Sequence, residues 1–123
     1  MDKKDDLRQR TKQFALRVIG LVESLPKGRT ADMIGHQLLR SATSVGANYR
    51  AACRAKSIAD FISKMGTVEE EADESLYWME LLVEAGIVKS ELLTALMQEA
   101  DELVAITVAS INTAKKRHTK KTG

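Results

Sequence analysis

The chain of 123 residues is 44% hydrophobic and 29% charged, the balance of one ordinary globular domain and too short for two. One proline and seven glycines are too few punctuators for the many turns of a β-sandwich or barrel, and 4% aromatic content argues against the base-stacking sheets of single-strand RNA modules. The formal net charge of +2 hides a strong segregation: residues 1–24 sum to +2, 25–59 to +5, 60–102 to −10 and 115–123 to +5, so surfaces of opposite sign are expected.

Helical spacing of Leu7, Phe14, Val18, Leu21 and Leu25, with Arg8, Lys12, Arg17 and Glu23 between them, predicts a first amphipathic helix over about residues 5–24. Leu25-Pro26-Lys27-Gly28 ends it. Thr30 is the expected N-cap of a second helix reaching Arg54, with Asp32 in its positive first turn and an inward stripe of Ile34, Leu38, Ala42, Val45, Tyr49 and Ala52. This helix is rich in small residues, among them Ser41, Ser44, Gly46, Ala47 and Ala51, which implies close packing. A mid-helix glycine costs about 1 kcal/mol against alanine, so a neighbour is expected against Gly46.

Ser57 and Asp60 form a variant capping box that opens a third helix, whose apolar positions are Ile58, Phe61, Ile62, Met65, Val68, Ala72, Leu76, Met79 and Val83. Gly86 stops it. Ser90 is the expected cap of a fourth helix built on Leu93, Leu96, Ala100, Leu103, Thr107 and Ile111, with Leu92, Val104, Ile106 and Val108 widening the stripe enough to reach between subunits. Four helices with three short connections make an all-α, antiparallel up-down-up-down four-helix bundle over residues 1–114. The remaining segment, 115–123, has no apolar residue to dock and is predicted to be a disordered basic tail.

Chemistry that needs a positioned base or ligand set finds little support. The only histidines are His36 and His118, and neither has the preceding Glu of a di-iron Glu-x-x-His motif. Cys53 stands alone, which rules out an intrachain disulfide and a cysteine metal cluster, and reads as a packing residue in a reducing compartment. The cluster Glu69, Glu70, Glu71, Asp73 and Glu74 lacks a His or Cys companion and reads as a solvated or ion-pairing face. No glycine loop has the spacing of a phosphate cradle. The expectation is therefore no catalytic residue, no cofactor and no metal. The opening MDKKDDLRQRTKQ has no apolar run, and no segment approaches the roughly 20 apolar residues of a membrane span, so a soluble cytoplasmic protein is expected.

The positive signal is basic. Residues 33–59 contain no carboxylate but hold Arg40, Arg50, Arg54 and Lys56, and Arg50 and Arg54 share a helix face. These cations, with Lys115, Lys116, Arg117, Lys120 and Lys121, are the candidate phosphate contacts. The alternative is that the arginines pair with the acidic third helix.

A more specific pattern runs from residue 41 to 86: Ser44-Val45-Gly46-Ala47-Asn48-Tyr49-Arg50, then Ala59-Asp60-Phe61-Ile62-Ser63-Lys64-Met65, the acidic Glu70-Glu71-Ala72-Asp73-Glu74, and Tyr77-Trp78-Met79-Glu80-Leu81-Leu82. This resembles the four helix bundle proteins, a family related to proteins encoded within intervening sequences of bacterial large-subunit ribosomal RNA genes. The helical layout extends the resemblance over about residues 10–111. It implies a left-handed antiparallel bundle assembling into a ring-like homopentamer. A related branch, the accessory variability determinant proteins of diversity-generating retroelements, is similar in fold and works as a basic pentameric partner of a reverse transcriptase and nucleic acid; for this chain that is analogy, because fold alone does not carry function. The family commonly has Glu directly after the Asn-Tyr-Arg run, where this chain has Ala51.

Together these readings predict a non-enzymatic oligomeric adaptor that binds RNA or another nucleic acid through its basic surfaces. The alternative is a protein-interaction scaffold using the acidic third helix or the apolar flank of the fourth. Ser44, Gly46, Asn48, Tyr49, Phe61, Tyr77 and Trp78 are predicted to serve packing and assembly.

Overall fold

A computed structural model describes residues 3–122, with side chains described for residues 4–120. Four helices account for nearly all of them: α1 (Lys3–Glu23), α2 (Arg29–Cys53), α3 (Ile58–Glu84) and α4 (Ser90–Thr122), with no strand among the described residues. Each helix packs on its sequence neighbour, and α1 also touches α4, so the four surround one core.

The stripes predicted from spacing are largely the buried ones, except that in α3 Leu82 takes the inward place expected of Val83, which with Ile58, Phe61, Ile62 and Leu76 is only partly buried. Phe14 and Val18 of α1, Leu38 and Val45 of α2, Met65, Met79 and Leu82 of α3, and Leu93 and Leu103 of α4 are all essentially inaccessible. Each such side chain contributes about 1.5–3 kcal/mol by leaving water, and this burial holds the bundle. The polar residues inside are satisfied locally. Thr11 donates to the Arg8 carbonyl at 3.1 Å and Thr107 to that of Leu103 at 2.7 Å, while Ser75 donates to Ser41 Oγ at 3.0 Å across the α2–α3 contact.

Helix ends follow local chemistry, with some differences from expectation. The N-cap of α2 is Gly28, not Thr30: its φ of 155° and ψ of 154° turn the chain, and its carbonyl accepts from the Asp32 N–H at 2.9 Å. Glycine makes that turn without a Cβ, so the helix starts before Thr30 is reached. Ser57 caps α3 as predicted, accepting from the Asp60 N–H at 3.0 Å, but the Asp60 carboxylate returns to the Lys56 N–H at 3.3 Å, one residue further back than in a capping box. Gly86, at φ 73°, ends α3 in a complete Schellman motif: the Gly86 N–H reaches the Val83 carbonyl at 3.0 Å and the Ile87 N–H that of Leu82 at 2.9 Å. Ser90 is already the first residue of α4, and its hydroxyl donates to Glu91 instead of capping.

Two larger differences bear on function. Helix α4 runs without a break to Thr122, where the sequence led to a disordered tail. Ala114, Lys115, Lys116 and Arg117 are good helix formers with no Gly or Pro among them, and cations near a helix C-terminus meet its negative dipole end, so a helix already nucleated in the core continues. Tyr77, predicted to pack, is 51% exposed on the outer face of α3, where it meets the edge of Trp78 with ring centroids 5.1 Å apart. The hydroxyl of the buried Tyr49 donates to the Lys4 carbonyl at 3.4 Å and so ties the end of α2 to the start of α1.

The neighbour expected against Gly46 is Thr11 of α1. A Cβ at Gly46 would stand 3.3 Å from Thr11 Oγ1 and 3.5 Å from its backbone carbonyl carbon. Gly46→Leu therefore forces α1 and α2 apart, with an expected loss of about 1–3 kcal/mol. A drop of several degrees in Tm by circular dichroism checks this; an unchanged melting curve is incompatible with the contact.

Candidate nucleic-acid interface

Two populations of basic residues bear on the candidate interface, those paired with carboxylates and those exposed without such a pair. Arg10 belongs to the first. Its Nε and Nη2 hold Glu99 of α4 in a fork, at 3.1 and 2.6 Å, and Nη2 also reaches Glu102 at 3.2 Å. The Glu99 hydrogen bond raises the already high pKa of the guanidinium against the cost of its burial. The sequence reading missed this triad. Its signal was present in Glu99 and Glu102, three apart and hence on one face of α4, but the partner lies 89 residues away.

Arg40 joins the same population, which favours for it the alternative of pairing with the acidic third helix. Its Nη1 donates to Glu71 at 3.1 Å and its Nη2 to Glu74, whose Oε2 also accepts from Trp78 Nε1 at 3.2 Å. The acidic cluster of α3 is thus divided by helix geometry. Glu71 and Glu74, three apart, face α2 and neutralise Arg40, whereas Glu70 and Asp73 are exposed. Lys64 is likewise paired, with Asp60 at 2.6 Å.

The second population holds most of the remaining candidates. Arg50 and Arg54, at the end of α2, and Lys56, in the α2–α3 connection, are exposed. Lys115, Lys116, Arg117 and Lys120 are exposed along the last turns of α4. Among the described residues no ion pair engages any of these seven. Lys56 alone among them lies in the field of a carboxylate, that of Asp60. The side chain of Lys121 lies outside the described residues. Asn48 donates to the Ser44 carbonyl and hydroxyl, each at 2.8 Å, within α2.

Elsewhere the surface offers little chemistry. Among the described residues no three His, Cys, Asp or Glu side chains converge as a metal site requires, and no helix is long and apolar enough to cross a membrane. An open groove lined by Leu21, Leu25, Pro26, Ile87, Val88 and Leu92 is mainly apolar.

Comparison with known proteins places this architecture. The family model of the 23S rRNA-intervening sequence protein matches residues 3–109. The chain belongs to that family. A solved structure, described as a protein of unknown function from the S23 ribosomal protein family of Bacteroides thetaiotaomicron, is similar at a TM-score of 0.83 and 32% identity, over 90% of this chain and 99% of that one. No curated protein matches the chain. The family match stops short of the cations on the last turns of α4, so these are not part of the matched region.

Two outcomes follow from the paired groups. Arg10→Ala removes the fork between α1 and α4 and is expected to cost about 1 kcal/mol, measured by urea unfolding. The Asp60 carboxyl is held below its usual 3.8 by the Lys64 hydrogen bond first and the Lys56 N–H second. A carboxyl depressed by folding favours the native state above its unfolded pKa and loses that effect as pH falls through the folded value. Asp60→Asn should therefore melt below the parent at neutral pH, with the gap closing as pH is lowered below 3.8.

Proposed function

We propose that this 23S rRNA-intervening sequence protein is a non-enzymatic, oligomeric helical adaptor whose basic end binds RNA or another nucleic acid. The observation that carries the reading is the division of the cations: carboxylates of α3 and α4 neutralise Arg10, Arg40 and Lys64, whereas Arg50, Arg54, Lys56, Lys115, Lys116, Arg117 and Lys120 remain exposed and free of ion pairs among the described residues. Exposed cations on ordered helices are what phosphate oxygens engage. The setting is cytoplasmic, in keeping with a lone cysteine.

The helices alternate in direction, in the up-down-up-down order. Supporting this are Tyr49 on the Lys4 carbonyl, Thr11 against Gly46, Arg10 on Glu99, and the common groove of Leu21 and Leu25 with Ile87 and Leu92. That order brings the end of α2 and the end of α4 to one pole, so the seven cations act together. Self-association, to the ring of five that the resemblance implies, has apolar surface available in Leu16 and Ile19 of α1 and Leu92 of α4, exposed by 52%, 37% and 67%.

Light scattering of the purified chain, alone and with RNA, tests both parts. The expected result is a mass of several protomers, reduced by Leu16→Lys with Ile19→Lys, and RNA binding that weakens steeply with salt. Each phosphate contact contributes about 0.7–0.9 to the logarithmic slope. A single protomer rejects the assembly, and no RNA binding at low salt rejects the interface. Capture of a protein partner that survives nuclease treatment would favour the scaffold reading, through exposed carboxylates such as Glu70 and Asp73.

A further inference from the structure

We infer that the basic pole recognises double-stranded nucleic acid through its backbone phosphates, in preference to single strands. The inference rests on the nucleic-acid reading above and specifies its ligand.

The first ground is the position of every aromatic ring. Single strands are held largely by bases stacked on exposed aromatic side chains, each stack contributing about 1–3 kcal/mol. The chain has two Phe, two Tyr and one Trp. Phe14 is fully buried and Tyr49 nearly so, and Phe61 packs against the core. Trp78 is partly buried and donates to Glu74, and Tyr77, the one ring with half its surface in water, leans on Trp78 among the acidic residues of α3. Among the described residues α4 carries no ring, the one ring of α2 is the buried Tyr49, and Phe61 at the start of α3 is partly buried, so the pole offers charge with little stacking platform.

The second ground is the reach of that charge. The Arg10–Glu99 and Thr11–Gly46 contacts mark one level through α1, α2 and α4. Counting from it, Arg54 stands near the height of Thr107, and Lys120 lies about 20 Å further along α4 at the helical rise of about 1.5 Å per residue. Lys115, Lys116, Arg117 and Lys120 occupy successive directions around that overhanging helix. An array of cations borne on a helix over this length matches a ligand of regular, dense charge. A duplex carries one charge per about 1.7 Å of axis, about twice the density of either of its strands alone. RNA and DNA duplexes share this chemistry, and the measurement below separates them.

The test is fluorescence anisotropy of the full-length chain with three labelled probes, a 20-base-pair RNA duplex, a DNA duplex of the same length and a single-stranded U20, at 50 and 200 mM salt. Both duplexes are expected to bind at least about tenfold more tightly than U20, and to lose about 10³-fold in affinity across that salt range if six or seven phosphates are engaged. The tighter of the two duplexes identifies the source. A variant with Lys115→Gln, Lys116→Gln, Arg117→Gln and Lys120→Gln keeps good helix formers and should flatten the salt slope by about three to four, whereas Lys89→Gln, in the α3–α4 connection, should leave it unchanged. U20 binding as tightly as the duplexes overturns the inference while leaving the nucleic-acid reading standing. Unchanged duplex affinity in the quadruple variant overturns the assigned surface. Absence of binding by all three probes at 50 mM overturns both the inference and the function it rests on.

Discussion

Close approach of α2 to its neighbours is the constraint from which the remaining arrangement follows. Gly46 leaves only Thr11 between the two backbones on the α1 side, and on the α3 side Ser41 and Ser75 meet hydroxyl to hydroxyl. Bulkier residues at either point would widen the gap and open voids beside Leu38 and Val45, which are now inaccessible to water. With that spacing fixed, Arg40 lies within reach of Glu71 and Glu74, and the Tyr49 hydroxyl meets the carbonyl of Lys4. Packing of small residues thus decides which charges meet.

The electrostatic surface is a remainder left by that packing. A stretch without carboxylates faces a helix dense with them, but the two are not simply matched. Only Glu71 and Glu74 point toward α2, because side chains three apart share a face and those between them do not. The consequence is a molecule nearly neutral in total that leaves a group of exposed, unpaired cations at the end of α2 and on the last turns of α4, with others scattered at Lys12, Arg17, Lys27, Arg29 and Lys89. Membership of the 23S rRNA-intervening sequence protein family accounts for the bundle, and the terminal cations of α4 lie beyond the matched region.

Much of the fold was legible in the sequence because its signals are local or periodic. The spacing of Phe14 and Val18, of Leu38, Ala42 and Val45, and of Leu93, Ala100 and Leu103 marks one face of each helix without knowledge of any partner. Ser57 and Gly86 were legible for the same reason, since a cap is made within a few residues. The glycine start of α2 was less so: Gly28 and Thr30 are both favoured caps, and the choice depends on the backbone angles of the turn. The fate of Arg40 needed the rotation of α2 against α3, which no single-helix pattern contains. The helical end of α4 was misread by weighing docking alone, when propensity and the momentum of an established helix were enough. The candidate cations were all found by composition, but their division into paired and exposed sets appears only when the helices are assembled.

The Schellman turn at Gly86 has a bearing on how the chain reaches its native state. Its two hydrogen bonds span only Leu82 to Ile87, so the connection between α3 and α4 requires no distant residue to hold it. Contacts of short sequence separation form early because little chain entropy opposes them, which favours the pairing of helices adjacent in sequence, α3 with α4 among them. The α1–α4 fork, by contrast, joins residues 89 apart and can close only once the rest of the molecule has collapsed. The N-terminal helix is therefore held to α4 by a contact that depends on the folding of everything between them.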